Sequence, residues 1–123
     1  MARILLIDDN ALLRTLLRLQ LEAAGYEVLE AADGGEGIRL YRNQPVDLVL
    51  CDLFMPGKEG LETIRELRGS GAGRIIAISG DGPLDASDFL RIATMLGAAR
   101  ALNKPFDAAT LLEAVREVLQ APG

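Results

Sequence analysis

The chain has 123 residues, 50% of them hydrophobic and 25% charged, and its 13 Lys and Arg against 18 Asp and Glu leave a net charge of −5. A chain of this length buries roughly two-thirds of its unfolded surface and folds without a disulfide or a structural metal. Its single cysteine excludes an internal disulfide, and the absence of histidine excludes Ser-His-Asp triads, HExxH zinc sites and any histidine phosphotransfer within the chain.

The acidic balance and an aromatic content of 4% without tryptophan argue against direct nucleic-acid binding and against stacking platforms. No apolar run approaches the ~18 residues of a membrane span, so no membrane insertion is expected. Met1-Ala2-Arg3 followed by Ile4–Ile7 is too short for the apolar core of a signal peptide. The expectation is a cytoplasmic single domain over residues 1–123. Its chemistry must come from carboxylates, hydroxyls, Lys and Arg.

In chain order, the first apolar run is Arg3–Ile7, stopped by Asp8-Asp9. A helical period over 11–24 predicts one face carrying Leu12, Leu13, Leu16, Leu17, Leu21 and Ala24, with Gly25 as the stop. Glu27–Glu30 is a weak strand whose flanking acids suit a sheet edge. Residues 35–43 read as a helix blocked by Pro45. Asp47–Cys51 is the next strand, and 59–68 the next helix, ended by Gly69. Arg74–Ile78 is a fourth strand. A helix over 86–96 follows an Asp85-Ala-Ser-Asp88 start that resembles a capping box. A fifth strand, Ala98–Leu102, precedes a helix over 108–120 with Asp107 as its N-cap.

The runs beginning at Arg3, Asp47 and Arg74 are apolar at consecutive positions rather than alternate ones. Strands of that kind are buried on both faces. Five β-α repeats then predict an α/β fold, a parallel sheet wound with helices on both sides and right-handed crossovers.

Ligands of such sheets bind beyond the carboxyl ends of the strands. Those ends here carry Asp8-Asp9, Asp52, Ser79-Gly80 and Asn103-Lys104-Pro105. Taken singly, each has a plainer role: Asp8-Asp9 as a helix cap, Asp52 and Ser79-Gly80 as turn residues, Lys104 as a solvated lysine. If strands 1, 3, 4 and 5 are neighbours, three carboxylates, a hydroxyl and an ammonium meet on one rim. Three close carboxylates repel and need a cation or raised pKa values. Hard oxygen ligands with open positions suit Mg²⁺. Lysine and serine suit phosphoryl oxygens, and an aspartate between Mg²⁺ and a lysine can attack phosphorus to give an aspartyl phosphate. The Gly69–Gly73 stretch leads into a strand rather than out of one, so it is read as a loop and not a dinucleotide motif. Cys51 lies within a buried strand and is read as packing.

The segments Ile4-Leu5-Leu6-Ile7-Asp8-Asp9-Asn10, Asp47–Gly60 with its Asp52-Leu53-Phe54-Met55-Pro56 core, Ile76–Gly80 and Asn103-Lys104-Pro105-Phe106 together resemble the receiver domain of bacterial two-component response regulators. The resemblance runs over residues 4–106, and the last helix fits it too. It implies a doubly wound, flavodoxin-like five-stranded parallel sheet in the order 2-1-3-4-5. It also implies transfer of a phosphoryl group from a phosphohistidine donor to an aspartate with Mg²⁺. Residue by residue, Asp52 matches the phosphoacceptor. Asp8, Asp9, Asp52 and the backbone carbonyl of Phe54 match the metal ligands. Ser79 matches the switch hydroxyl, Lys104 the lysine of the site, and Pro105 the partner of a cis peptide bond.

Two departures stand out: Ala101 where the family often carries a switch aromatic, and Phe54 with Asp81 at positions that tune dephosphorylation. The implied partners are a sensor histidine kinase or histidine phosphotransfer protein and a downstream protein target. The chain is expected to act as a stand-alone switch, not as a turnover enzyme, although it takes part in its own phosphorylation and autodephosphorylation. A pseudo-receiver that is never phosphorylated and a phosphatase working through an aspartyl phosphate are the competing readings.

Overall fold

Alternation between short apolar runs and amphipathic segments produces the expected layers. A computed structural model describes residues 2–53, 60–79, 91–92 and 94–121. The strands are β1 (Arg3–Ile7), β2 (Glu27–Ala31), β3 (Leu48–Asp52), β4 (Ile75–Ser79) and β5 (Arg100–Asn103). The helices are α1 (Ala11–Ala23), α2 (Gly34–Asn43), α3 (Gly60–Gly69) and α4 (Ala108–Gln120). Residues 91, 92, 94 and 95 are also helical. Most of the helix expected over 86–96, including its Asp85–Asp88 start, lies outside the described residues, as do Met55-Pro56-Gly57 and Asp81.

All pairings are parallel and the order is β2-β1-β3-β4-β5, as the resemblance implied. The weak acidic strand β2 takes an edge, and every residue of β3 and β4 is buried. Strand alternation divides the core in two. Ile4, Leu6, Leu48, Leu50, Ile76, Ile78 and Leu102 face α1 and α4, meeting Leu17, Leu21, Leu111, Ala114 and Val115. Leu5, Ile7, Val49, Cys51, Ile75, Ala77 and Ala101 face α2 and α3, meeting Ile38, Ile64 and Leu67.

Helix ends follow local chemistry. Asn10, Asp33 and Asp107 cap α1, α2 and α4, their side chains accepting from the amides of Leu13, Glu36 and Thr110. Asn10, not Asp8-Asp9, therefore caps α1. Gly25 and Gly71 take positive φ after α1 and α3, where a side chain would strain the chain. Helix α3 runs through Gly69 and reverses at Gly71.

The face of α1 is narrower than its pattern suggested. Leu17 and Leu21 are buried and Leu13 is partly so, whereas Leu12 is 82% exposed and Leu16 49% exposed. Each of the two exposed leucines precedes a core-facing one by a single residue, about 100° around the helix, which carries it off the buried stripe.

Candidate functional site

Sheet register decides which strand-end side chains meet. Ile7 pairs with Cys51 and Ile4 with Leu48, so one residue further along, Asp8 follows β1 beside Asp52 at the end of β3. Both continue the face lined by Leu6 and Leu50. Asp8 is fully buried and Asp52 is 3% exposed, whereas Asp9, the next residue along, is exposed. One carboxylate oxygen from each of the three lies within 4.8 Å of the others.

Lys104 reaches the same spot from the far side of β4. It follows Leu102 by two residues and so lies on the face of Asp52. Its Nζ donates to Asp52 Oδ2 at 3.2 Å and stands 3.5 Å from Asp8 Oδ2. The Lys104–Pro105 bond is cis, and the Lys104 amide donates to the Ser79 carbonyl at 2.6 Å, which ties the start of this turn to β4. Burial works against the ammonium, but the two carboxylates outweigh it and hold the Lys104 pKa above that of an ordinary lysine. Cys51 is raised far above the usual thiol range, first by burial and then by Asp52 and Asp8. It is a packing residue with its thiol protonated.

Supports for Asp8 come from residues the motif did not single out. The Asn10 amide donates to Asp8 Oδ1 at 2.9 Å, and Arg14 Nη1 donates to the Asp8 carbonyl at 2.6 Å. Arg14 is held in turn by Glu30 at 3.1 Å, and Glu30 also pairs with Arg18. The spacing of Arg14 from Asp8 marks it only once α1 is known to start at Ala11 and to pack beside β1. Gly60 is a second such residue. A methyl group on its Cα would overlap the Asp52 carbonyl and the Leu53 backbone, so α3 comes this close to β3 only because residue 60 has no side chain.

The structure thus brings together Asp8, Asp9, Asp52 and Lys104. Ser79 lies next to them on β4, where Asp52 pairs with Ile78, but alternation turns its side chain to the other face. Its hydroxyl donates to Asn103 Oδ1 at 3.1 Å. Phe54 and residues 80–85 lie outside the described residues.

The acid cluster suits a hard cation. Asp8 Oδ2 is buried and, among the described residues, has no well-formed hydrogen bond, with Lys104 Nζ 3.5 Å away as its ion-pair partner. A buried carboxylate oxygen with one ammonium at 3.5 Å, beside two more carboxylates, has capacity left for positive charge. Carboxylate oxygens with one exposed member match an ion that keeps part of its water, as Mg²⁺ does.

Comparison with known proteins agrees with this geometry. The family model of the response regulator receiver domain matches residues 4–116. PilH of Pseudomonas aeruginosa is 35% identical over 97% of this chain and 98% of its own length. The transcriptional regulatory protein CpxR of Klebsiella pneumoniae is 36% identical over 98% of this chain, which spans 50% of that protein. A receiver domain protein from Methanospirillum hungatei, described as CheY-like, superposes with a TM-score of 0.88 at 32% identity, covering 97% of this chain and 94% of that one. With the sheet order, the acid cluster at its carboxyl edge and a family match over nearly the whole sequence, this chain belongs to the response regulator receiver domain family of two-component signalling.

Proposed function

We propose that residues 1–123 form one receiver domain that works as a phosphorylation switch. Asp52 accepts a phosphoryl group from the phosphohistidine of a sensor histidine kinase or histidine phosphotransfer protein, and the change alters binding to a downstream protein target. The observation that carries this reading is the buried Asp52 carboxylate, held 3.2 Å from Lys104 and within 4.8 Å of Asp8 and Asp9.

In the transfer, an oxygen of Asp52 attacks phosphorus. The new P–O bond forms as the P–N bond to the donor imidazole breaks, and the electron pair of the broken bond stays with the ring nitrogen. Asp52 ends a strand buried on both faces, so its carboxylate is positioned before the donor arrives. Lys104 supplies a fixed positive charge beside the attacking group and shields the developing negative charge. Asp8, Asp9, Asp52 and the carbonyl of Phe54 would hold Mg²⁺, which when bound supplies positive charge to the phosphoryl oxygens. Ser79, on the adjoining strand, is the hydroxyl that would donate to the product. Arg14 and Asn10 keep Asp8 in place throughout. Hydrolysis of the acyl phosphate at the same site would reset the switch, and such a domain is a signalling element rather than a turnover enzyme.

The test is incubation with acetyl phosphate and Mg²⁺ followed by intact-protein mass spectrometry. Gain of one phosphoryl group, lost in Asp52→Asn, is expected. An unchanged mass in a folded chain would overturn the proposal and leave a pseudo-receiver that works by binding alone.

A further inference from the structure

The Ser79 hydroxyl is committed elsewhere, and its partner is a residue to which the chemistry above gives no role. Ser79 and Asn103 are register partners across β4 and β5. Ser79 is 7% exposed, and its Oγ donates to Asn103 Oδ1 at 3.1 Å. By strand alternation both side chains lie on the face of Ala77 and Ala101, opposite to that of Asp52 and Lys104.

Ala77 and Ala101 are themselves register partners, so β4 and β5 place nothing larger than a methyl group next to the pair on that face. Among the described residues, the side chain that takes up the hydroxyl is the carboxamide of Asn103.

We propose that Asn103 is a positioning residue that holds the Ser79 hydroxyl away from Asp52 in the unphosphorylated domain. Its release, when Ser79 turns to the phosphoryl group, couples phosphorylation to β5. The inference rests on the switch reading above. Two arrangements of one hydroxyl compete. In one it donates to Asn103; in the other it donates to a phosphoryl oxygen at Asp52. A side chain changes between them by rotation about a single bond, from one staggered position to another.

The Asn103 bond opposes activation by the worth of one net hydrogen bond, which corresponds to about a fivefold bias in the equilibrium. Breaking it frees an acceptor on an exposed strand-end residue, so β5 presents a different polar surface in the two states.

The experiment is a double-mutant cycle read with beryllofluoride, a phosphoryl mimic, in Mg²⁺, its affinity followed by fluorine and amide NMR. Asn103→Ala and Asn103→Leu both remove the acceptor, and they differ in volume. Each is expected to raise mimic affinity about fivefold when Ser79 is present and to have no effect in the Ser79→Ala background. A role confined to packing would give the same effect in both backgrounds, or different effects for Ala and Leu, and either result overturns the proposal. If the unaltered chain binds the mimic but neither variant changes the affinity, the Asn103 role alone falls. If the unaltered chain binds no mimic and takes no phosphoryl group from acetyl phosphate, the switch reading falls and this inference with it.

Discussion

Replacing Asp52 by Asn removes one charge from the acid cluster and keeps the side chain's size and polarity. Its effect on stability follows from the distances. At an effective dielectric constant near 20, two unit charges 4.8 Å apart repel by about 3.5 kcal/mol, which bounds the interaction of Asp52 with buried Asp8 from below. Asp9 is exposed, and in a water-like medium its share falls to about 1 kcal/mol. Against these stands the attraction of Lys104 at 3.2 Å, about 5 kcal/mol on the same scale. Attraction and repulsion nearly cancel. What remains is the cost of holding a carboxylate out of water, several kcal/mol for a fully buried ion and reduced in part by its hydrogen bonds. Asp52→Asn should therefore stabilise the metal-free domain by about 1–2 kcal/mol.

For a domain of this size that gain is a rise in melting temperature of roughly 3–8 °C. The assay is a thermal melt by circular dichroism in a chelating buffer, repeated in Mg²⁺. Binding to the folded form stabilises by mass action, by about 2.7 kcal/mol at a hundredfold excess over Kd, so Mg²⁺ should raise the unaltered chain more than the variant and narrow the gap. A lower melting temperature for Asp52→Asn in chelator would refute the balance of forces described here.

Two further predictions rest on single features. Gly60→Ala should destabilise by about 3 kcal/mol or fail to fold, because the added methyl meets the backbone of Asp52 and Leu53, which cannot rotate away. Gly69→Ala is the control: among the described residues nothing lies within 4 Å of its added methyl, so urea melts that place the two variants together would contradict the close approach of α3. The pKa of Lys104 is raised in the folded state because burial is outweighed by Asp52 and Asp8. Its contribution to stability is thus complete below the unfolded lysine pKa of ~10.4 and is lost as pH rises through the higher folded value. Lys104→Met should be less stable at neutral pH and should lose less stability between neutral and strongly alkaline pH. Parallel alkaline declines in urea midpoints for the two proteins would exclude this role.

The residues themselves determined the elements and most of the side chains that gather at the candidate site. Consecutive apolar residues in Ile4–Ile7, Leu48–Cys51 and Ile75–Ile78 mark strands buried on both faces, and the cap at Asp107 follows from hydrogen-bonding chemistry local to a few residues. Acids, hydroxyl and lysine at successive strand ends were legible for the same reason: a short apolar run and its polar stop are neighbours in the chain. Strand order was legible only through the family resemblance, since periodicity says nothing of which strand lies beside which. Tertiary structure alone decided how these ends face one another. Asp52 and Lys104 meet across 52 positions of sequence, and Ser79 meets Asn103 across 24. Each contact depends on the register of two separate strands, and a shift of one residue would turn every side chain to the opposite face. The same dependence on partners explains why Leu12 and Leu16 lie outside the core despite an apolar pattern, and why Gly60 could not be recognised as the residue that lets α3 approach Asp52. Apolar character states what a residue can bury; only the packed sheet supplies the surface that buries it.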